Sequence, residues 1–190
     1  MAFLFLDTET NGLPIFPRAP QWFLPNWPRL IQLGWVVTDN QGQEVKSACH
    51  VIRPVGFKIS PQAISIHGIT QEIAERDGEP IKQVLKAFRS DLQEVDTCAA
   101  HNISFDVRVL RAEFLRQFIG NPFKGKNLRC TMRESTEFCR LPRADGFKWP
   151  SLNELYRILF NEDLKIHHHA LADARTSCKC FWELHRRNVM

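Results

Sequence analysis

Residues 2–11 read Ala2-Phe3-Leu4-Phe5-Leu6-Asp7-Thr8-Glu9-Thr10-Asn11. The stretch from Ala2 to Leu6 carries no charge, as expected of a strand buried on both faces. Asp7 and Glu9 follow two residues apart, and on an extended chain such residues point to the same side. Two carboxylates therefore leave the strand end together, at the rim of a sheet. Carboxylates this close repel unless a cation sits between them, and hard divalent ions such as Mg²⁺ take oxygen ligands of this kind. A solvated turn, with Thr10, Asn11 and Gly12 closing an ordinary strand, is the competing reading, and these residues alone do not separate the two.

Outward from that strand, residues 12–29 hold five prolines together with Trp22, Phe23, Trp27, Arg18 and Arg29. The prolines exclude regular helix or a central strand, so this is a long loop that starts beside the acid pair. Its aromatics and arginines suit base stacking and phosphate neutralisation. They suit equally well the pinning of an irregular loop to the core. Leu30–Asp39 and Gln43–Arg53 read as a hairpin around the turn at Asn40-Gln41-Gly42. Ser60 caps a short helix with Pro61 at its first position, Gly68 closes it, and Thr70 caps another running to about Arg76. Residues 80–92 have a helical period in Ile81, Val84, Leu85 and Phe88. Thr97–Ala100 is a short strand, and Ile103–Ile119 a helix with Asp106 in its first turn, where the helix dipole favours a carboxylate. On this helix Phe105 lies on the apolar stripe and reads as core. Leu128–Thr131 is a fifth strand, Met132–Cys139 a helix, and Arg140–Pro150 a polar loop. Ser151 and Glu154 form a capping box for Leu152–Phe160. The last helix runs from about Ala170 to Arg186 and contains Asp173.

This order describes one α/β domain over residues 1–190 with a mixed sheet. The 190 residues, 44% apolar and 24% charged, suit a soluble globular chain, and the net charge of +4 permits a polyanionic partner without establishing one. No apolar run approaches a membrane span and no secretory signal is evident, so a cytoplasmic protein with no membrane partner is expected. The six cysteines are then expected to be reduced. Cys178 and Cys180, two apart on a helix, should point to different faces.

Taken singly, Asp106, Asp173 and His168 have ordinary explanations. Together with Asp7-Thr8-Glu9-Thr10, the stretches His101-Asn102-Ile103-Ser104-Phe105-Asp106 and His168-His169-Ala170-Leu171-Ala172-Asp173-Ala174 resemble the three motifs of the DEDD-type 3′–5′ exonucleases, in their histidine (DnaQ-like) subclass. The segment from Ser60-Pro61 to His67-Gly68-Ile69-Thr70 also resembles that family, and the likeness spans Phe3 to about Cys178. It implies a ribonuclease-H-like fold: a five-stranded mixed sheet flanked by helices on both faces, with the first strand central.

The resemblance further implies that Asp7, Glu9, Asp106 and Asp173 bind two divalent cations, Mg²⁺ or Mn²⁺, and that His168 is the general base. An imidazole pKa of about 6.5 suits that task. Helix spacing alone would pair His169 with Asp173; the family spacing selects His168, with His167 and His169 as neighbours. Thr10, Leu13, His67, Ile69, His101 and Asn102 match substrate-contacting positions. The long loop 12–29 departs from the family, and Trp22 or Trp27 is expected to stack an unpaired base. The implied activity is metal-dependent hydrolysis of phosphodiester bonds, DNA favoured and RNA an option, releasing 5′-mononucleotides from a 3′ end that is expected to be single-stranded. The alternatives are a nucleic-acid-binding module without catalysis and a proofreading subunit working with a polymerase or repair complex.

Overall fold

The computed structural model describes residues 2–164 and 168–190. Strand β1 spans Phe3–Thr10, β2 Leu30–Thr38 and β3 Glu44–Val51. Helices α1 (Pro61–His67), α2 (Gln71–Asp77) and α3 (Ile81–Gln93) follow, then β4 (Thr97–Ala100), α4 (Ile103–Arg116) and β5 (Asn127–Cys130). Two short helices, α5 (Thr131–Glu134) and α6 (Thr136–Cys139), precede a small hairpin of β6 (Pro142–Arg143) and β7 (Gly146–Phe147). Helices α7 (Leu152–Phe160) and α8 (Ala170–Arg186) complete the chain.

The main sheet has the order β3-β2-β1-β4-β5. β1 runs antiparallel to β2 and parallel to β4, and β4 runs parallel to β5. β1 is thus central and covered on both faces, which is why its first half tolerates no charge. Leu4 and Leu6 point into a cluster with Val84, Leu85 and Phe88 of α3 and Val107 and Leu110 of α4. Phe3 and Phe5 point the other way, onto Cys178, Phe181 and Trp182 of α8. Strand alternation then sends Thr8 and Thr10 toward α4, and Asp7 and Glu9 toward α8.

The caps read from the sequence are present: Ser60 on α1, Thr70 on α2, and the Ser151–Glu154 box on α7. Cys178 and Cys180 occupy different apolar clusters, as their spacing required. Among the described residues, no helix is long and apolar enough to cross a membrane.

Two local expectations differ. The helix expected over Met132–Cys139 is two pieces that meet at Ser135, a buried serine whose hydroxyl faces the Met132 carbonyl. Residues 140–150, read as a polar loop, contain the β6–β7 hairpin, which turns through Ala144 and Asp145 and enters β7 at Gly146 with φ 115°.

Candidate active site

Three elements bring the acids together. β1 ends at the sheet rim with Asp7 and Glu9, and α4 and α8 both begin at that rim, each with an aspartate in its first turn. Two devices on β2 set the start of α8. Gly34, the antiparallel partner of Asp7, leaves no side chain between the strand and the helix backbone. A Cβ there would lie 2.3 Å from Leu171 N and 2.4 Å from the Ala170 carbonyl carbon. Gln32, the partner of Glu9, accepts a hydrogen bond from Ala170 N–H on Oε1 at 2.9 Å. The residue at the helix cap position, His169, supplies no side-chain cap of its own, so Gln32 satisfies a donor that would otherwise be orphaned.

Electrostatics records the convergence. Burial, and then the charges of Asp106, Asp173 and Glu9, hold the Asp7 carboxyl well above its ordinary range. Burial, reinforced by Asp173 and Asp106, pushes Glu9 up to about 8. Asp106 is raised to about 7 by burial, although hydrogen bonds from the Thr8 side chain and from the Thr8 and Asp106 backbone oppose the rise. The Thr8 hydroxyl donates to Asp106 Oδ1 at 2.8 Å. Thr8 was not singled out from the sequence; its place between two acids hides a role on the opposite face.

One ligand atom from each of Glu9, His168 and Asp173 lies within 4.8 Å of the other two. The ring of His169 faces elsewhere, with Nε2 3.8 Å from Cys49 Sγ. His167 lies outside the described residues. A cluster of carboxylates whose ionisation is this unfavourable has the donor chemistry that hard divalent cations require, so the residues present fit such ions.

Beside Glu9 a cavity of about 260 Å³ is lined by Thr8, Thr10, Leu13, Ser60, His67 and Phe105, among others. Three of the substrate positions expected from the sequence are here. Thr10 donates from its hydroxyl to the Gly12 carbonyl at 2.6 Å, and Leu13 is 79% exposed. His67 accepts the Ile69 N–H on Nδ1 at 3.0 Å, which leaves the proton of its neutral ring on Nε2, a buried atom without a hydrogen-bond partner among the described residues.

The other three are placed differently. Ile69 is buried in a small cluster with Ile31, Ile59, Ala63 and Ala74, so its side chain packs and only its backbone N–H serves His67. His101 is enclosed, with Nδ1 3.0 Å from Thr131 Oγ1 and Nε2 3.0 Å from the Pro150 carbonyl, and burial lowers its pKa to about 4. Asn102 starts α4 in the left-handed conformation, φ 70°, which asparagine tolerates, and its Oδ1 accepts from Ser104 Oγ. These two shape the turn that presents Asp106. Phe105, read as core, both packs against the main cluster and lines the cavity.

The two tryptophans of the long loop separate. Trp27 is 3% exposed and donates from Nε1 to the Pro20 carbonyl, so it pins the loop and is closed to a base. Trp22 is 73% exposed.

A central strand delivering two carboxylates, met at the sheet rim by an aspartate from each of two covering helices, defines a ribonuclease-H-like nuclease architecture. The chain belongs to the exonuclease family of RNase T type, whose model matches residues 4–181. No curated protein sequence matches it. Among solved structures, Escherichia coli exonuclease I in complex with a dT13 oligonucleotide superposes with a TM-score of 0.77 at 21% identity, over 98% of this chain and 41% of that one. Exonuclease I from Methylocaldum szegediense gives 0.75 at 21% identity, over 98% and 40%. The chain thus spans about two fifths of the length of the exonuclease I structures it matches.

Proposed function

We propose that the protein is a metal-dependent 3′–5′ exonuclease that releases 5′-mononucleotides, one catalytic domain acting on single-stranded nucleic acid with DNA preferred. The observation that carries this reading is the convergence of Asp7 and Glu9 from β1, Asp106 from the first turn of α4 and Asp173 from the first turn of α8 at one rim of the sheet. These four carboxylates hold two divalent cations, Mg²⁺ or Mn²⁺. Bound there, the ions supply activation of a water and charge stabilisation at the scissile phosphate and the leaving 3′ oxygen.

The chain's own groups do the rest. Thr8 fixes the Asp106 carboxylate and favours its charged form. His168, beside Glu9 and Asp173 and open to solvent, takes the proton of the attacking water. Thr10, Leu13, His67 and Phe105 cradle the terminal nucleotide in the cavity beside Glu9. Preference for a single strand is supported by the oligonucleotide-bound exonuclease I structures that share the fold. The six free cysteines accord with a reducing, cytoplasmic setting.

The test is degradation of 3′-labelled and 5′-labelled single- and double-stranded DNA and RNA with Mg²⁺, Mn²⁺ or EDTA. Stepwise loss from the 3′ end, absent in EDTA and in Asp7→Ala, is expected. Binding without degradation under both metals would instead leave a binding module, including one that serves a polymerase.

A further inference from the structure

The loop between β1 and β2 begins in the active-site cavity, at Gly12 and Leu13. Further on, Gln21 and Trp22 line a separate cavity of about 280 Å³ with Arg111, Phe114, Leu115, Ile119 and Asn121. α4 joins the two places. Phe105 lines the first cavity and Arg111 the second. Six residues separate them, which is about 9 Å of helix rise.

Along one side of α4, Ser104, Arg108 and Arg111 are half-buried and Leu115 is exposed. Their spacing of four, three and four puts them on one face. Arg108 and Arg111 therefore stand on one side of α4, Arg111 in the hollow beside Trp22. The Arg111 guanidinium lies over the Phe123 ring, 5.9 Å from its centroid, and its Nε is buried without an acceptor among the described residues. Burial, and then the nearby charge of Arg108, disfavour the charge on Arg111. Arg108 donates one N–H to the Pro17 carbonyl. An anionic group in the hollow would give the Arg111 Nε–H an acceptor.

The loop that carries Trp22 is held before any ligand arrives. Asn26 bonds the Phe16 backbone in both directions, at 2.7 and 3.1 Å. Arg116 donates to the Leu24 and Trp27 carbonyls, both at 2.7 Å. With Trp27 folded inward and Trp22 left outside, the pinned loop presents an exposed indole at the edge of an apolar hollow that Arg111 also lines. That combination suits a stacked base and its phosphate.

We propose that Trp22 and Arg111 form a subsite for an unpaired base and its phosphate, upstream of the terminal nucleotide on the strand being degraded. The placement rests on the exonuclease reading, because the 3′ end must lie beside Glu9. The axial offset of about 9 Å along α4 puts the subsite a few nucleotides from the end. The loop makes the enzyme favour strands long enough to reach it.

The experiment has two arms. In the first, kcat/KM is measured on dT12 and dT3 with Mn²⁺ for wild type, Trp22→Ala, Trp22→Phe and Arg111→Gln. Wild type should favour dT12, and Trp22→Ala and Arg111→Gln should each shrink that preference about fivefold or more, the lower range of base–aromatic stacking. Trp22→Phe should retain most of it. An undiminished preference in Trp22→Ala overturns the subsite while leaving the exonuclease reading intact. In the second arm, dT12 carrying a single 5-iodouracil at each of its last six positions is photo-crosslinked to wild type in EDTA. Adducts at Trp22 should come from internal positions. Adducts only from the terminal base, or none at Trp22, overturn the proposal. Crosslinking at Trp22 by a wild type that degrades nothing would overturn the nuclease reading and not the subsite.

Discussion

Gly34 lies directly beneath Leu171, so close that a methyl group on Gly34 would sit 2.3 Å from the Leu171 amide nitrogen. The absence of a side chain on β2 therefore sets how near α8, and with it Asp173, comes to Asp7. The relevant property is space, since Gly34 does not have a positive φ. Gly34→Ala must lift the start of α8 from the sheet. Overpacking of this kind costs about 1–3 kcal/mol, which lowers Tm by several degrees in a chain of this size. Turnover should fall further than stability, by about tenfold or more, because Asp173 moves relative to Asp7. Calorimetry and single-turnover hydrolysis on the same preparation check both; a Tm loss with unchanged turnover would remove Gly34 from the positioning of the site.

Thr8 acts through Asp106. Thr8→Val removes the donor at 2.8 Å and leaves a side chain of similar shape. The lost hydrogen bond favoured the ionised carboxylate, so the Asp106 pKa, already about 7, rises. The acidic limb of the pH–rate profile should move to higher pH, and the Mn²⁺ concentration for half-maximal activity should rise about tenfold, as for loss of an outer partner of a metal ligand. A profile superposable on wild type would show that Thr8 is dispensable.

The acids also set the stability of the metal-free protein. Glu9 has a folded pKa of about 8 against an ordinary 4.5, so the native state favours its protonated form. Its contribution to stability is full below about pH 4.5 and is lost as pH rises through about 8. In EDTA, therefore, wild type should lose stability across that window relative to Glu9→Gln, whose side chain cannot ionise. Denaturant unfolding of the two proteins at several pH values gives the difference directly. Parallel curves would mean that Glu9 is not destabilised when ionised.

The neighbouring histidines separate by what they face. His168 shares its place with Glu9 and Asp173, whereas His169 faces Cys49. His168→Ala should abolish most turnover, by at least about a hundredfold for a general base. His169→Ala should retain more than half. Steady-state rates on one labelled strand decide, and equal rates for wild type and His168→Ala would remove the base from His168.

Much of this was legible because it is local. A charge-free start marks a strand buried on both faces, short-range caps at Ser60, Thr70 and Ser151 mark helix starts, and the family resemblance supplied the central placement of that strand and the grouping of the four acids. What was not legible depends on distant partners. His101 looks like a pocket residue until Thr131 and Pro150, 30 and 49 residues away, occupy its two nitrogens. Trp22 and Trp27 have near-identical surroundings in the sequence, and only the fold of the loop turns one inward to the Pro20 carbonyl. Ile69 sits beside His67, yet its side chain packs into a cluster that includes Ile31 of β2. The β6–β7 hairpin is exposed throughout, so no buried face imposes an alternating pattern on it.

Every role proposed for Asp7, Glu9, Asp106, Asp173 and His168 depends on divalent cations binding at one rim of the sheet. Calorimetric titration of Mn²⁺ into wild type and Asp7→Ala at about pH 8, with no nucleic acid present, tests that most directly. Saturable binding by wild type, approaching two ions per chain and strongly weakened in Asp7→Ala, is the expected result. Absence of binding by wild type, or an isotherm unchanged in Asp7→Ala, would contradict it.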